Sequence, residues 1–73
     1  MESLDIKKLI ETGLPDATVE VVGDDGQHFD AYVESPSFAG KPLLAQHKMV
    51  YATLGDSFDG ALHALALKTS IPR

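Results

Sequence analysis

The sequence predicts an α+β fold of two layers, in which helices cover one face of a three-stranded mixed sheet. Two strand-like runs, residues 18–22 and 29–34, flank a turn-forming segment and indicate a hairpin. A third apolar run, residues 62–69, indicates a strand that follows two helical segments. Because this last strand is reached by a crossover, it should lie parallel to one strand of the hairpin.

The first element is predicted to be a helix from Ser3 to Gly13. The apolar residues that recur with helical spacing are Ile6, Leu9 and Ile10. We expect Ser3 to cap this helix, Asp5 to favour its positive N-terminal end, and Gly13 with Pro15 to end it.

The hairpin is predicted from Thr18 to Glu34. Its first strand, Thr18 to Val22, is rich in β-branched residues, and Gly23-Asp24-Asp25-Gly26 supplies turn chemistry. The second strand should bury one of its two alternating rows, which is Phe29, Ala31 and Val33. We interpret Asp24 and Asp25 as turn formers, because the spacing of an EF-hand calcium loop is absent.

A second helix is predicted after the break at Ser35-Pro36-Ser37, with Pro42 near its first position and Gly55 at its end. Its expected buried stripe is Leu43, His47, Val50 and Leu54, flanked by Leu44 and Tyr51. We expect His47 to be half-buried, with a ring nitrogen bonded to a loop carbonyl.

A short third helix is predicted from Asp56, its cap, to Gly60, and the last strand follows. One row of that strand carries His63, Leu65 and Leu67, which should face the core, and the other row is small. The resulting order is αββααβ, a sandwich of the kind found in KH-like domains. A histidine that borders a core is more often packed than chemically employed, and the residues alone favour that interpretation of His63.

Length and composition limit the classes of protein that fit. The chain has 73 residues, so we expect one domain over residues 1–73, and it contains no cysteine for disulfides or thiolate ligands. No stretch approaches the roughly 20 apolar residues of a membrane span, and no signal-peptide pattern opens the chain. We therefore expect a mature N-terminus, no membrane association and a cytoplasmic location, although a domain without cysteine is also permitted elsewhere.

The charge argues against general nucleic-acid binding. The formal net charge is -5, and the six basic residues are spread along the chain. Affinity for DNA or RNA comes largely from neutralisation of phosphates by Lys and Arg. A local basic face remains compatible with this composition.

Three segments carry a resemblance to a known family. These are Phe38-x-Gly40-Lys41, His47-Lys48-Met49-Val50-Tyr51 and His63-Ala64-Leu65-Ala66-Leu67-Lys68-Thr69. Together they resemble the BolA family over nearly the whole chain, and the short acidic turn from Gly23 to Phe29 is most similar to its IbaG-like branch. The resemblance implies a class II KH-like fold with the order αββααβ, which agrees with the prediction from the residues.

The resemblance also implies a function. BolA-like proteins pair with monothiol glutaredoxins and share a [2Fe-2S] cluster with them, for iron–sulfur cluster assembly or transfer, or for iron sensing. The family's ligands are the histidine at the start of the last strand, which matches His63, and a His or Cys in the hairpin loop, which matches His28. The other two ligands would be a glutaredoxin cysteine and a glutathione thiol, so the isolated chain should bind no cluster. Without the resemblance, His28 is an ordinary exposed turn residue.

Two other functions, transcription regulation and catalysis, fit the sequence less well. Some relatives are transcription regulators, but the KH-type Gly-x-x-Gly loop is missing here, because Leu54-Gly55-Asp56-Ser57 does not match it. The C-terminal tail is also shorter than in many relatives, which could weaken partner contacts. Catalysis is not expected, because no nucleophile with a base and an orienting group is visible, and no Gly-rich phosphate loop.

Overall fold

The computed structural model describes residues 2–23, 28–55 and 65–72. It contains two α-helices, α1 (Ser3–Gly13) and α2 (Leu43–Leu54), and three strands, β1 (Thr18–Val22), β2 (Phe29–Glu34) and β3 (Leu65–Ser70). A single 3-10 turn, Pro36–Phe38, lies between β2 and α2. The α+β class and the bounds expected for α1, β1 and β2 are confirmed.

The sheet has the order β1-β2-β3 and is mixed, as the sequence predicts. β1 pairs antiparallel with β2, with Val19 opposite Val33. β3 pairs parallel with β2, with Phe29 opposite Leu65 and Val33 opposite Thr69. The crossover through α2 therefore returns the chain alongside the middle strand.

One face of the sheet packs against both helices. The residues of this core are Ile6, Ile10, Val19, Phe29, Ala31, Val33, Phe38, Val50, Leu54 and Leu65. Its β2 and β3 residues belong to the rows that alternation predicts, because burial of apolar surface favours placing an apolar row inward. Phe38, at the end of the 3-10 turn, is fully buried and joins this core.

The start of α1 differs from the expectation in one residue. The N-cap is Glu2, and Ser3 is already the first helical residue. The Asp5 carboxylate accepts a hydrogen bond from the Glu2 N–H at 2.9 Å, so the helix start is held by the acid expected to favour it. At the other end, the Leu14 N–H bonds to the Ile10 carbonyl at 2.8 Å.

The predicted stripe of α2 was wrong at its first turn. Val50 and Leu54 are buried as expected, but Leu43 and Leu44 are 58% and 68% exposed. Gln46 is buried in their place. Its amide Nε2 donates to the Lys41 carbonyl at 2.8 Å, and its Oε1 accepts from Thr69 Oγ1 at 2.7 Å. These two bonds satisfy the amide inside the fold, which removes most of the penalty of burying it.

The break after β2 is a hydrogen-bonded corner. The buried Ser35 hydroxyl donates to Asp16 Oδ1 at 2.8 Å and accepts from the Ser37 N–H at 3.0 Å. The Ser37 hydroxyl donates to the other Asp16 oxygen. The two hydroxyl hydrogen bonds lower the pKa of Asp16 below its usual range, and the bond from Ser37 has a larger effect than the bond from Ser35. The corner thus ties the segment before β1 to the exit of β2.

Three expectations lie outside the described residues. They are the turn at Asp24 and Asp25, the third helix from Asp56 to Gly60, and the start of the last strand at residues 62–64, which includes His63. No helix in the part of the chain that the structure describes is long and apolar enough to cross a membrane.

Candidate metal-ligand end of the sheet

The parallel pairing of β2 and β3 brings the beginnings of these two strands to the same end of the sheet. Phe29, the first residue of β2, is the partner of Leu65, the first described residue of β3. His28 directly precedes Phe29, and its side chain is exposed. The imidazole of His28 therefore belongs to the end of the sheet at which the chain enters β3.

Gly23 closes the hairpin next to His28. A Cβ atom placed on Gly23 would lie 2.7 Å from the His28 carbonyl oxygen and 2.6 Å from the Phe29 ring. Both distances are shorter than real Cβ contacts, so only glycine lets the two strands approach this closely here. Phe29 is 3% exposed, and its burial fixes the backbone from which His28 projects.

His63 itself lies outside the described residues. In the sequence it stands two residues before Leu65, the first described residue of β3. The register places His28 at the end of the sheet where β3 begins.

The donor set of the chain is small. The sequence contains three histidines and no cysteine. Within residues 2–23, 28–55 and 65–72, no group of three or more His, Cys, Asp or Glu side chains is placed to hold a metal ion. A chain with three imidazoles and no thiolate could hold an iron–sulfur cluster only if other molecules provided thiolate ligands.

The third histidine, His47, belongs to the packing of α2. It is half-buried, as expected, and its ring nitrogen Nε2 is buried with no hydrogen-bond partner among the described residues. Within the described part of the chain, Nε2 does not form the bond to a loop carbonyl that was expected of one ring nitrogen. Gln46, one residue earlier, bonds to Thr69, so the first half of α2 lies beside the end of β3.

The uncovered face of the sheet is a second feature, which the sequence analysis left unassigned. Across its middle lie Glu20, Tyr32 and Lys68, one from each strand and directly opposite one another. The Lys68 ammonium lies 5.9 Å from the centre of the Tyr32 ring, and Tyr32 is 43% exposed. The alternation of β2 already places Tyr32 on this face. A solvated cation–π pair of this kind contributes roughly 0.5–1 kcal/mol.

Comparison with known proteins identifies the family. The family model described as BolA-like protein matches residues 10–73. A solved BolA protein homologue from Coxiella burnetii superposes with a TM-score of 0.84 and 44% sequence identity, covering 99% of this chain and 92% of that one.

Two curated relatives show the range of names in the family. The UV-induced protein uvi31 of Schizosaccharomyces pombe is 46% identical over 59% of this chain and 42% of its own length. The DNA-binding transcriptional regulator BolA of Escherichia coli is 40% identical over 58% of this chain and 40% of its own length. The chain thus spans less than half of each of these relatives. The family match over residues 10–73 is nevertheless nearly complete, and the chain belongs to the BolA family.

Proposed function

We propose that this chain is a non-enzymatic, cytoplasmic partner of a monothiol glutaredoxin and shares a [2Fe-2S] cluster with it. The cluster would serve iron–sulfur assembly or transfer, or iron sensing. One observation carries the proposal, namely the parallel register of Phe29 with Leu65. It places His28 at the end of the sheet where β3 begins, and in the sequence His63 stands two residues before β3.

The donor atoms of the chain fit a cluster that is shared with a partner, and not a cluster that the chain binds alone. A [2Fe-2S] cluster takes four protein or thiol ligands, and two histidines can replace two cysteines on one iron. The chain has no cysteine, so the thiolates must come from elsewhere. In the proposal His63 and His28 provide the imidazoles, while the glutaredoxin cysteine and a glutathione thiol provide the sulfur ligands.

The role of this chain's residues is to hold two neutral imidazoles in place. Only the neutral ring has a lone pair for a metal, so protons compete with the iron for these nitrogens. The buried Phe29 ring and the close approach of Gly23 to the His28 carbonyl anchor the backbone where His28 enters β2. A side chain on an anchored backbone loses less conformational entropy when it binds.

The second candidate is a DNA-binding regulator, which the name of the Escherichia coli relative favours. The formal net charge of -5 opposes it, because long-range repulsion from phosphates must be overcome before any local contact forms. A DNA-binding chain would show affinity that falls steeply with salt, and we expect none at physiological ionic strength.

The decisive experiment is co-expression with the host's monothiol glutaredoxin, followed by co-purification and an absorption spectrum. We expect a coloured one-to-one complex, while the chain purified alone and reconstituted anaerobically with iron and sulfide stays colourless. Asp30→Asn, at an exposed position two residues after His28, is the matched control and should leave the complex unchanged. A stoichiometric cluster on the lone chain would contradict ligand sharing, and failure to form any complex would contradict the partnership.

A further inference from the structure

The charges of this chain are unevenly distributed. All eleven acidic residues lie outside residues 35–55, whereas this segment carries Lys41, Lys48 and His47. The segment includes the 3-10 turn and the whole of α2. An acidic protein therefore presents one continuous stretch without a single carboxylate.

The same segment holds the most exposed leucines. Residues 39–44 are all exposed, and Leu43 and Leu44 lead the large apolar residues exposed in the described part of the chain. Lys48 lies one helical turn after Leu44 and is exposed as well. We call residues 39–44 together with Lys48 the leucine–lysine surface.

This surface is held in one conformation by the protein interior. The Lys41 N–H bonds to the Phe38 carbonyl at 3.0 Å, and the Lys41 carbonyl accepts from the buried Gln46 amide at 2.8 Å. Gly40 has a φ of 77°, a left-handed conformation that glycine adopts without strain. Two leucines on such a scaffold lose little conformational freedom when a partner covers them.

The start of α2 also lacks the usual negative group. Pro42 is the N-cap and forms no side-chain capping bond, and the first turn contains no acidic residue. The first N–H groups of a helix and its dipole favour an anion at this end. A partner surface with apolar side chains surrounded by carboxylates would match all three features: the exposed leucines, the two lysines and the uncapped helix start.

We infer that the leucine–lysine surface binds a second protein, through a segment of that protein which presents leucine-like side chains flanked by Asp or Glu. A second copy of this chain fits less well. A two-fold interface brings the same surface of each copy together, so Lys41 and Lys48 of one copy would repel the same lysines of the other. Nucleic acid also fits less well, because the two exposed leucines of the surface provide neither positive charge nor hydrogen-bond donors for phosphates.

The surface is separate from the His28 end. Gln46 bonds to Thr69, which is the fifth residue of the six-residue strand β3, whereas His28 lies beside the first. Six strand residues span about 17 Å, so the two places lie at opposite ends of the sheet. A glutaredoxin bound at His28 would leave the leucine–lysine surface open, and the second partner could join the same complex.

The test uses the isotope-labelled, cluster-free chain and a synthetic amphipathic peptide with leucines at helical spacing and glutamates between them. We expect saturable amide shifts confined to residues 39–48. Leu44→Ser should weaken binding by about tenfold or more, since burial of one leucine alone is worth that much. Lys48→Glu should also weaken binding, because it places a carboxylate against the glutamates of the peptide. The matched controls on α1, Leu4→Ser and Lys8→Glu, should change the affinity less than twofold; Leu4 is 55% exposed.

Several outcomes would overturn the inference. These are no saturable shifts, equal binding of a peptide with lysines in place of the glutamates, and equal binding of duplex DNA at physiological salt. A dimer that forms with rising concentration and is lost in Leu44→Ser would assign the surface to a second copy. Displacement of the peptide by glutaredoxin would place that partner on this surface instead. The assay needs no cluster, so its outcome is independent of whether the proposed glutaredoxin partnership is correct.

Discussion

Thr69 donates a hydrogen bond to Gln46 at 2.7 Å, and this contact joins the end of the last strand to the first half of α2. The same amide donates to the Lys41 carbonyl, so one buried side chain connects the loop before α2, the helix and the sheet. A polar group that satisfies two partners in the interior is costly to remove, because each partner is then left without its bond.

The first prediction is that Gln46→Ala lowers the free energy of unfolding by about 1–3 kcal/mol, measured by urea denaturation. Thr69→Val removes only the outer partner and should cost about 1 kcal/mol. The double variant should be less destabilised than the sum of the two, because both remove the same bond. Strictly additive effects would mean that the two side chains act independently.

Gln46 also shows where sequence reasoning stops. The alternation of Phe29, Ala31 and Val33 predicts a buried row because each strand position has only two faces. The buried stripe of α2 was predicted from the spacing of apolar residues, so it included Leu43 and omitted the polar Gln46. Nothing near Gln46 in the sequence indicates that Thr69, 23 residues away, supplies a partner. The corner of Asp16 with Ser35 and Ser37 escaped prediction for the same reason. The crossover rule did predict that the last strand lies parallel to one strand of the hairpin, and the structure shows that this strand is β2.

The second prediction separates packing from polarity at His47. His47→Ala should lower stability by about 1–2 kcal/mol, because the ring fills space beside Val50. His47→Leu should keep stability within about 0.5 kcal/mol or raise it, because it fills the space without a buried Nε2 that lacks a partner. Both variants should keep the spectrum of the glutaredoxin complex. A folded His47→Leu protein that lost the cluster would show that the wrong histidine was assigned to packing.

The third prediction concerns acid. Hydrogen bonds from Ser37 and Ser35 depress the pKa of Asp16 in the folded state, so its ionised form stabilises the fold. That stabilisation is complete above the unfolded pKa of about 3.9 and disappears as the pH falls through the lower folded value. Asp16→Asn should therefore lower the urea midpoint at pH 7 and reduce its loss below about pH 4. Ser37→Ala should reproduce part of both effects, while Glu11→Gln, at an exposed position of α1, should reproduce neither.

The fourth prediction tests the loop ligand. His28→Cys should keep the cluster in the glutaredoxin complex, since loops of BolA-like proteins carry either residue and thiolate is a strong ligand for Fe–S clusters. It should shift the visible spectrum and lower the reduction potential, because an anionic thiolate stabilises the oxidised state relative to a neutral imidazole. Asp30→Cys places a thiol two residues away and serves as the control. An unchanged spectrum and potential in His28→Cys would mean that residue 28 is not a ligand.

The fifth prediction concerns His63. If its imidazole ligates iron, His63→Ala should abolish the stable shared cluster, because one iron then keeps at most one protein nitrogen. The fold should survive, since alanine is tolerated at the start of a strand, and urea denaturation of the cluster-free chain would establish that. The measurement is the absorption spectrum of the complex with glutaredoxin, with His47→Ala as the control that removes a different histidine. A His63→Ala complex with the spectrum of the wild type would make His63 a packing residue, which is the interpretation that the residues alone favour.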